Sequence, residues 1–327
     1  MSASVPILTA APGALSPAGQ EALAQAQRYA QKSDAPATLR AYRADWAHYT
    51  AWCAAQDFIP VPAAPATIGA YLASLATSHA SSTIRRRLAA IGKMHRFNGL
   101  LWNPAHQDIQ APLRGVLRAH GCPPKKAPAL TLDMLRQLVE TCDRSARGRR
   151  DRALLLLGFA GALRRSELVA LQADDVTEVP GGLRLLIRRS KTDAVGQGAE
   201  LGLPRGRYLT TCPVRAFHDW MAVAQHKAGP LFRRISTAGT IGTEALNADA
   251  VRYILLRRAA MARFQLDGAE RLSAHALRVG FITEAYAKGM RDEDIMRHTR
   301  HRDLRTMRGY VQRAGLVAES PAGLLDL

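Results

Sequence analysis

Hydrophobic side chains recur three and four residues apart along much of the chain, and wherever that spacing persists it predicts a helix. Between residues 37 and 55, Leu39, Tyr42, Trp46, Tyr49, Trp52 and Cys53 share one stripe, while Arg40, Arg43 and His48 lie mostly off it. Pro60, Pro62 and Pro65 then break the chain. A second helix is expected from Ala66 to Ala76 with Ile68, Tyr71, Leu72 and Leu75 inward, and a third from Ser81 to Asn98, capped by the Ser81-Ser82-Thr83 run and stopped at Gly99. A short helix from Gln107 to Ala119 follows, and no strand pattern occurs before residue 120.

Residues 120–129 combine Gly, three prolines and two lysines, which cannot continue a helix. They are read as a linker between a helical domain, 18–119, and a second domain, 130–327, with a mobile Ala/Pro/Ser-rich arm at 1–17 and an apolar tail from about 316. In the second domain Thr131 and Asp133 open a helix to about Cys142, and an apolar helix runs from Arg149 to Ala160. Gly182–Arg188 and Ala199–Leu203 flank a polar turn and predict a small antiparallel sheet. From Pro213 onward the pattern returns to helix, with Gly289 a stop and Asp292 and Glu293 at the next N-terminus, where the helix dipole favours them. The fold class is therefore mainly α with a small antiparallel β-sheet.

Charge changes the picture. In 327 residues there are 45 Lys and Arg against 27 Asp and Glu, a net charge of +18, so a polyanion, nucleic acid first, is the expected partner. The excess is 8 over residues 1–126 and 10 over the rest, so both domains are basic, as two lobes closing on a duplex would be. Cys53, Cys122, Cys142 and Cys212 are widely spaced without a metal-binding pattern. No apolar run approaches 18 residues and no secretory signal opens the chain, so a cytoplasmic protein without a membrane segment is expected.

Six polar residues in the second domain stand apart. They are Arg164 in Ala-Leu-Arg-Arg-Ser-Glu-Leu, Lys191 in Arg-Ser-Lys-Thr, the pair in His275-Ala-Leu-Arg278, and His301 followed nine residues later by Tyr310. One phenol, two guanidiniums, an ammonium and two imidazoles are the groups that metal-free transesterification at a DNA phosphate needs. The set, in this order and in these contexts, resembles the tyrosine recombinase (phage integrase) family, of the Cre and Xer type, over roughly residues 37–327.

The resemblance implies a core-binding (SAM-like) helical domain, a catalytic domain, and a role for each residue. Arg164 and Arg278 clamp the phosphate, because a planar guanidinium offers paired donors and stays charged. Glu167, three residues after Arg164, holds it in place. Lys191 protonates the leaving 5′ oxygen. His275 either accepts the proton of the phenol or bonds a phosphoryl oxygen. His301, preferred over nearby His298 for its spacing to Tyr310, donates to a nonbridging oxygen, although Arg300 stands where the family commonly has Gly. Tyr310 is the nucleophile, giving a 3′-phosphotyrosyl link whose energy is conserved for religation, so no cofactor and no metal is called for.

The basic face of the third helix, Arg85, Arg86, Arg87, Lys93 and Arg96, together with Arg40 and Arg43, is expected to contact DNA, with Arg86 and Arg40 in the major groove by resemblance. The implied partner is a double-stranded recombination site bound by a homotetramer, the free protein being a monomer or dimer, nucleoid-associated. The tail docks on a neighbouring protomer in such proteins; packing on its own domain is the alternative. The rival functions are a type IB topoisomerase and a DNA-binding regulator without cleavage.

Overall fold

The computed structural model describes residues 16–31, 33–121, 129–190, 193, 196–264 and 272–311. Most of the expected arm, the centre of the expected linker, Lys191 and the expected tail lie outside these residues. The chain divides into two compact units, residues 1–125 and 126–327. Among the described residues no helix is long and apolar enough to cross a membrane.

The first unit contains α1 (Pro17–Gln31), α2 (Pro36–Ala55), α3 (Pro65–Ser74), α4 (Ser81–Phe97) and α5 (Gln107–His120). Pro36 and Pro65 sit in the first helical turn, where a missing N–H costs nothing. The core joins Tyr49 and Cys53 of α2, Ile68, Tyr71 and Leu72 of α3, Ile84 and Ile91 of α4 and Ile109 of α5. Two glycines allow close approach: a Cβ on Gly69 would lie 2.0 Å from the Asp108 carbonyl, and one on Gly92 2.4 Å from the Trp102 ring. One expectation fails at α4. Its cap is Ala80, which makes no side-chain bond, because Ser81 is already helical.

The second unit is built around α7 (Ala146–Ala160), whose run Leu154–Leu157 is buried on every side. It is preceded by α6 (Leu132–Glu140) and followed by α8 (Arg165–Ala170). Thr131 Oγ1 and Ser145 Oγ cap α6 and α7 by accepting the Met134 and Gly148 N–H. Next come β1 (Val176–Val179), β2 (Gly182–Ile187) and β3 (Ala199–Pro204), an antiparallel sheet in that order, with Leu183 opposite Leu203 and Leu185 opposite Leu201 facing the core. The remainder is α9 (Pro213–Ala224), a hairpin of β4 (Arg233–Ile235) and β5 (Ile241–Ala245), then α10 (Ala248–Met261), α11 (Ala276–Ala287), α12 (Asp292–Thr299) and α13 (Leu304–Val311). The mainly helical class with small antiparallel sheets holds. Strand β1 and the hairpin were not anticipated, because Val-Thr-Glu-Val, Arg-Arg-Ile and Ile-Gly-Thr-Glu-Ala are short and partly polar.

A buried ionic knot ties α7 to α10. Asp151 is fully buried and accepts from Arg150, Arg257 and Arg258. These arginines are structural, holding one buried carboxylate.

Candidate active site and basic face

Four helix ends converge in the second unit. Arg278, in the first turn of α11, is fully buried, and its Nη1 donates to the Ala162 carbonyl just past α7 at 2.7 Å. Its Nη2 donates to the carbonyl of Thr299, the last residue of α12. Carbonyls at helix C-termini lack intrahelical partners and carry the negative end of the dipole, so they suit a guanidinium. Ala162 adopts φ 45°, a left-handed conformation that turns the chain after α7. Burial, with Arg164 nearby, pushes Arg278 down to about 9, which leaves it charged at neutral pH.

Arg164 is the N-cap of α8, and Glu167 of the same turn holds it at both ends. Glu167 Oε1 accepts from Arg164 Nη1 at 2.6 Å and Oε2 from the Arg164 backbone N–H at 3.0 Å. Burial alone raises the Glu167 carboxyl, but the Arg164 N–H, the Arg300 guanidinium and the Arg164 side chain outweigh it and hold the group below the usual carboxylate range.

Tyr310, on α13, places its hydroxyl 3.0 Å from Nε2 of His275, the N-cap of α11. With that nitrogen unprotonated the phenol donates to it, the geometry for removing the proton from a nucleophile. The His301 ring lies 6.0 Å from the Tyr310 ring between centroids.

His301 and His298 separate cleanly. His298 stacks on Phe281 at 4.5 Å and bonds the Ala160 carbonyl at 2.8 Å, inside the packing. His301 approaches Arg278, whose Nη2 is 3.2 Å from Nε2. Its Nδ1 is 2.6 Å from Thr299 Oγ1, which itself donates to the Ile295 carbonyl at 2.6 Å. A hydroxyl has one proton and a carbonyl only accepts, so the ring Nδ1 is the donor to Thr299. Burial first, then Arg278 and Arg164, push His301 down to about 3, so the free protein presents a neutral ring with an Nε2 lone pair. Donation to a phosphoryl oxygen then requires that an arriving phosphate raise its affinity for a second proton.

Five of the six expected residues, Arg164, His275, Arg278, His301 and Tyr310, thus come together with Glu167. Lys191 lies outside the described residues; its neighbours Ser190 and Asp193 line a cleft of about 250 Å³ with Arg300, His301 and Arg302. Thr299 was not singled out from the sequence, because nothing in a lone threonine signals that it will steer an imidazole two residues on. Arg300 stood out only as a departure from a pattern; it is largely buried and bonded to Glu167 at 3.0 Å.

The basic face of α4 is smaller than the sequence suggests. Arg40, Arg43, Arg85, Arg86 and Arg96 are exposed. Arg86 nevertheless commits Nε and Nη2 to the buried Asp45 carboxylate at 2.7 and 2.9 Å. Lys93 is half-buried, paired with Asp34 and held over the Tyr42 ring. Arg87 is a correction: only 8 % exposed, it donates to Tyr71 Oη at 3.0 Å and meets His48 Nδ1 at 2.9 Å. It sits on the packed side of α4, where Asp45 and Tyr71 need a cation.

Residues 128–315 match the Phage integrase family. An integrase/recombinase XerD homologue of Selenomonas ruminantium is 33 % identical over 301 residues, 90 % of this chain and 87 % of the relative. A tyrosine recombinase of Synechococcus elongatus is 29 % identical over 297 residues, 84 % of each chain. In fold the chain is similar to XerH site-specific recombinase, solved with palindromic difH substrate as a post-cleavage complex, at a TM-score of 0.64 and 17 % identity, over 96 % of this chain and 86 % of that one. It is also similar to lambda integrase, solved as a dimer on a COC′ core site, at a TM-score of 0.60 and 14 % identity, over 89 % and 94 %.

Proposed function

The chain belongs to the phage integrase family, the tyrosine recombinases, and from that premise we propose that Tyr310 is the nucleophile with which it cuts and rejoins DNA at specific sites. Site-specific DNA recombination is the activity of the family, and DNA is the partner. The observation that carries the residue assignment is the Tyr310 hydroxyl, 3.0 Å from His275 Nε2 beside the paired guanidiniums of Arg164 and Arg278.

The reaction runs as follows. Tyr310 Oη gives its proton to His275 Nε2 and attacks the scissile phosphorus. The phosphorus–O5′ bond breaks, leaving a 3′-phosphotyrosyl link, and the departing 5′ oxygen takes a proton from Lys191. Arg164 and Arg278 neutralise the extra charge on the phosphorane, where fixed donors are worth most. Attack by the 5′ hydroxyl of a partner strand reverses the steps, expels Tyr310 and yields a Holliday junction. Four protomers on two sites supply the four strand transfers, with Arg40, Arg43, Arg85, Arg86 and Arg96 of the helical unit on the DNA backbone and grooves. The net charge of +18 suits that role.

A covalent trapping assay tests the proposal. Wild type and Tyr310→Phe are incubated with fragments of the gene's genomic neighbourhood, denatured in detergent, and the DNA attached to protein is sequenced. The expected result is an adduct at a discrete site with wild type and none with Tyr310→Phe, at equal DNA binding. An adduct that survives the substitution refutes Tyr310 as nucleophile.

A further inference from the structure

Arg300 combines three features. It is the C-cap of α12 with φ 58° and ψ 42°, a left-handed conformation in which a side chain is strained and glycine is not. Its side chain is only 11 % exposed, and a buried guanidinium is costly unless fully engaged. The fold engages it in part: Nη1 donates to the His298 carbonyl at 2.9 Å and Nη2 to Glu167 Oε2 at 3.0 Å, while the buried Nε has no hydrogen-bond partner among the described residues. Burial holds Arg300 below its ordinary value even though Glu167 pulls it upward.

The partner is what matters. Glu167 is the carboxylate that fixes Arg164, and its two oxygens are divided between two guanidiniums: Oε1 to Arg164 Nη1, Oε2 to Arg300 Nη2 and the Arg164 backbone. Without Arg300, both oxygens are available to the Arg164 fork, the bidentate geometry that guanidiniums favour. Arg164 then has fewer donors left for a phosphate. The charge balance shifts as well. Arg164, Arg278 and Arg300 face one carboxylate, and Arg300 also bears on Arg278 and His301.

We propose that Arg300 is a positioning residue for DNA cleavage: by occupying one side of Glu167 it leaves the Arg164 guanidinium free to take the scissile phosphate, and it returns to the site the positive charge that Glu167 removes. The inference rests on the proposed roles of Arg164 and Tyr310.

The test uses Arg300→Gly, which suits the left-handed backbone and so removes the guanidinium without straining the fold, and Arg300→Lys, which keeps the charge but not the fork. Single-turnover adduct formation and DNA affinity are measured across pH on the DNA recovered by covalent trapping with wild type, in the full-length protein. Arg300→Gly is expected to slow adduct formation tenfold or more with the DNA dissociation constant within twofold of wild type. Its rate–pH profile departs from that of wild type, since the site has lost a cation, and Arg300→Lys recovers part of the rate. Placed in a Glu167→Gln background, Arg300→Gly changes the rate less than twofold, because the two residues act as one unit. A wild-type rate for Arg300→Gly, an equal slowing in both backgrounds, or a fall in melting temperature with rate and pH profile intact overturns the proposal. A wild type that forms no Tyr310-dependent adduct on DNA it binds refutes instead the reading on which the inference stands.

Discussion

Replacing Glu167 by Gln keeps the shape of the side chain and removes one charge, and the structure sets the size of the consequence. The side chain is 1 % exposed and faces Arg164 and Arg300, themselves 16 % and 11 % exposed, so the substitution leaves two largely desolvated guanidiniums opposed without a counter-charge. Gln still offers one oxygen, but its NH₂ group points a donor at a donor. Removing one member of a buried ion pair costs about 3–5 kcal/mol. For a unit of this size each kcal/mol is worth roughly 2–4 °C, so melting of the second unit is expected to fall by about 6–20 °C. The effect depends on pH, with a definite sign. The Glu167 carboxyl is held below its ordinary value in the folded protein, so its contribution is complete above the unfolded pKa of about 4.3 and is lost as pH falls through the lower folded value. Thermal unfolding of wild type and Glu167→Gln by circular dichroism, from pH 7 down to pH 3, measures both. The gap should be full at pH 7 and begin to narrow only as pH falls below about 4.3. A gap under about 2 °C at pH 7, or one that stays constant with pH, refutes the account of Glu167 as a charged hub.

Other outcomes follow from particular contacts. Gly92→Ala should destabilise the helical unit by about 1–3 kcal/mol in urea unfolding, because its Cβ falls 2.4 Å from the Trp102 ring; an unchanged midpoint shows that the two segments are not in close contact. Arg85→Ala and Arg96→Ala should each reduce the slope of log binding constant against log salt by about 0.9, whereas Arg87→Met should leave the slope unchanged and lower stability. A reduced slope for Arg87→Met counts against its interior role. His301, pushed down to about 3, should show no inflection between pH 5 and 8 in an NMR titration of the free protein and should carry its proton on Nδ1; a midpoint near 6.5 contradicts the burial argument.

The sequence by itself determined the kind of chemistry and most of the helices. Periodicity located α2 to α7 to within a few residues, because each of these helices needs an apolar face whatever it packs against. The residue types around Arg164, His275, Arg278, His301 and Tyr310 carried the family resemblance, since a metal-free phosphoryl transfer admits few substitutes for a phenol and two guanidiniums. What only the tertiary structure decided was how the charges are divided between structure and function. In a chain with 45 Lys and Arg, one arginine looks like another. Arg87 turned inward to Asp45 and Tyr71, and Arg150 and Arg258 closed on Asp151. Arg300 reached Glu167 from 133 residues away, and Arg278 found its carbonyls at separations of 116 and 21 residues. Those partners are set by which helix ends meet, and the energy of a charge depends on its burial and its neighbours, which no local pattern encodes.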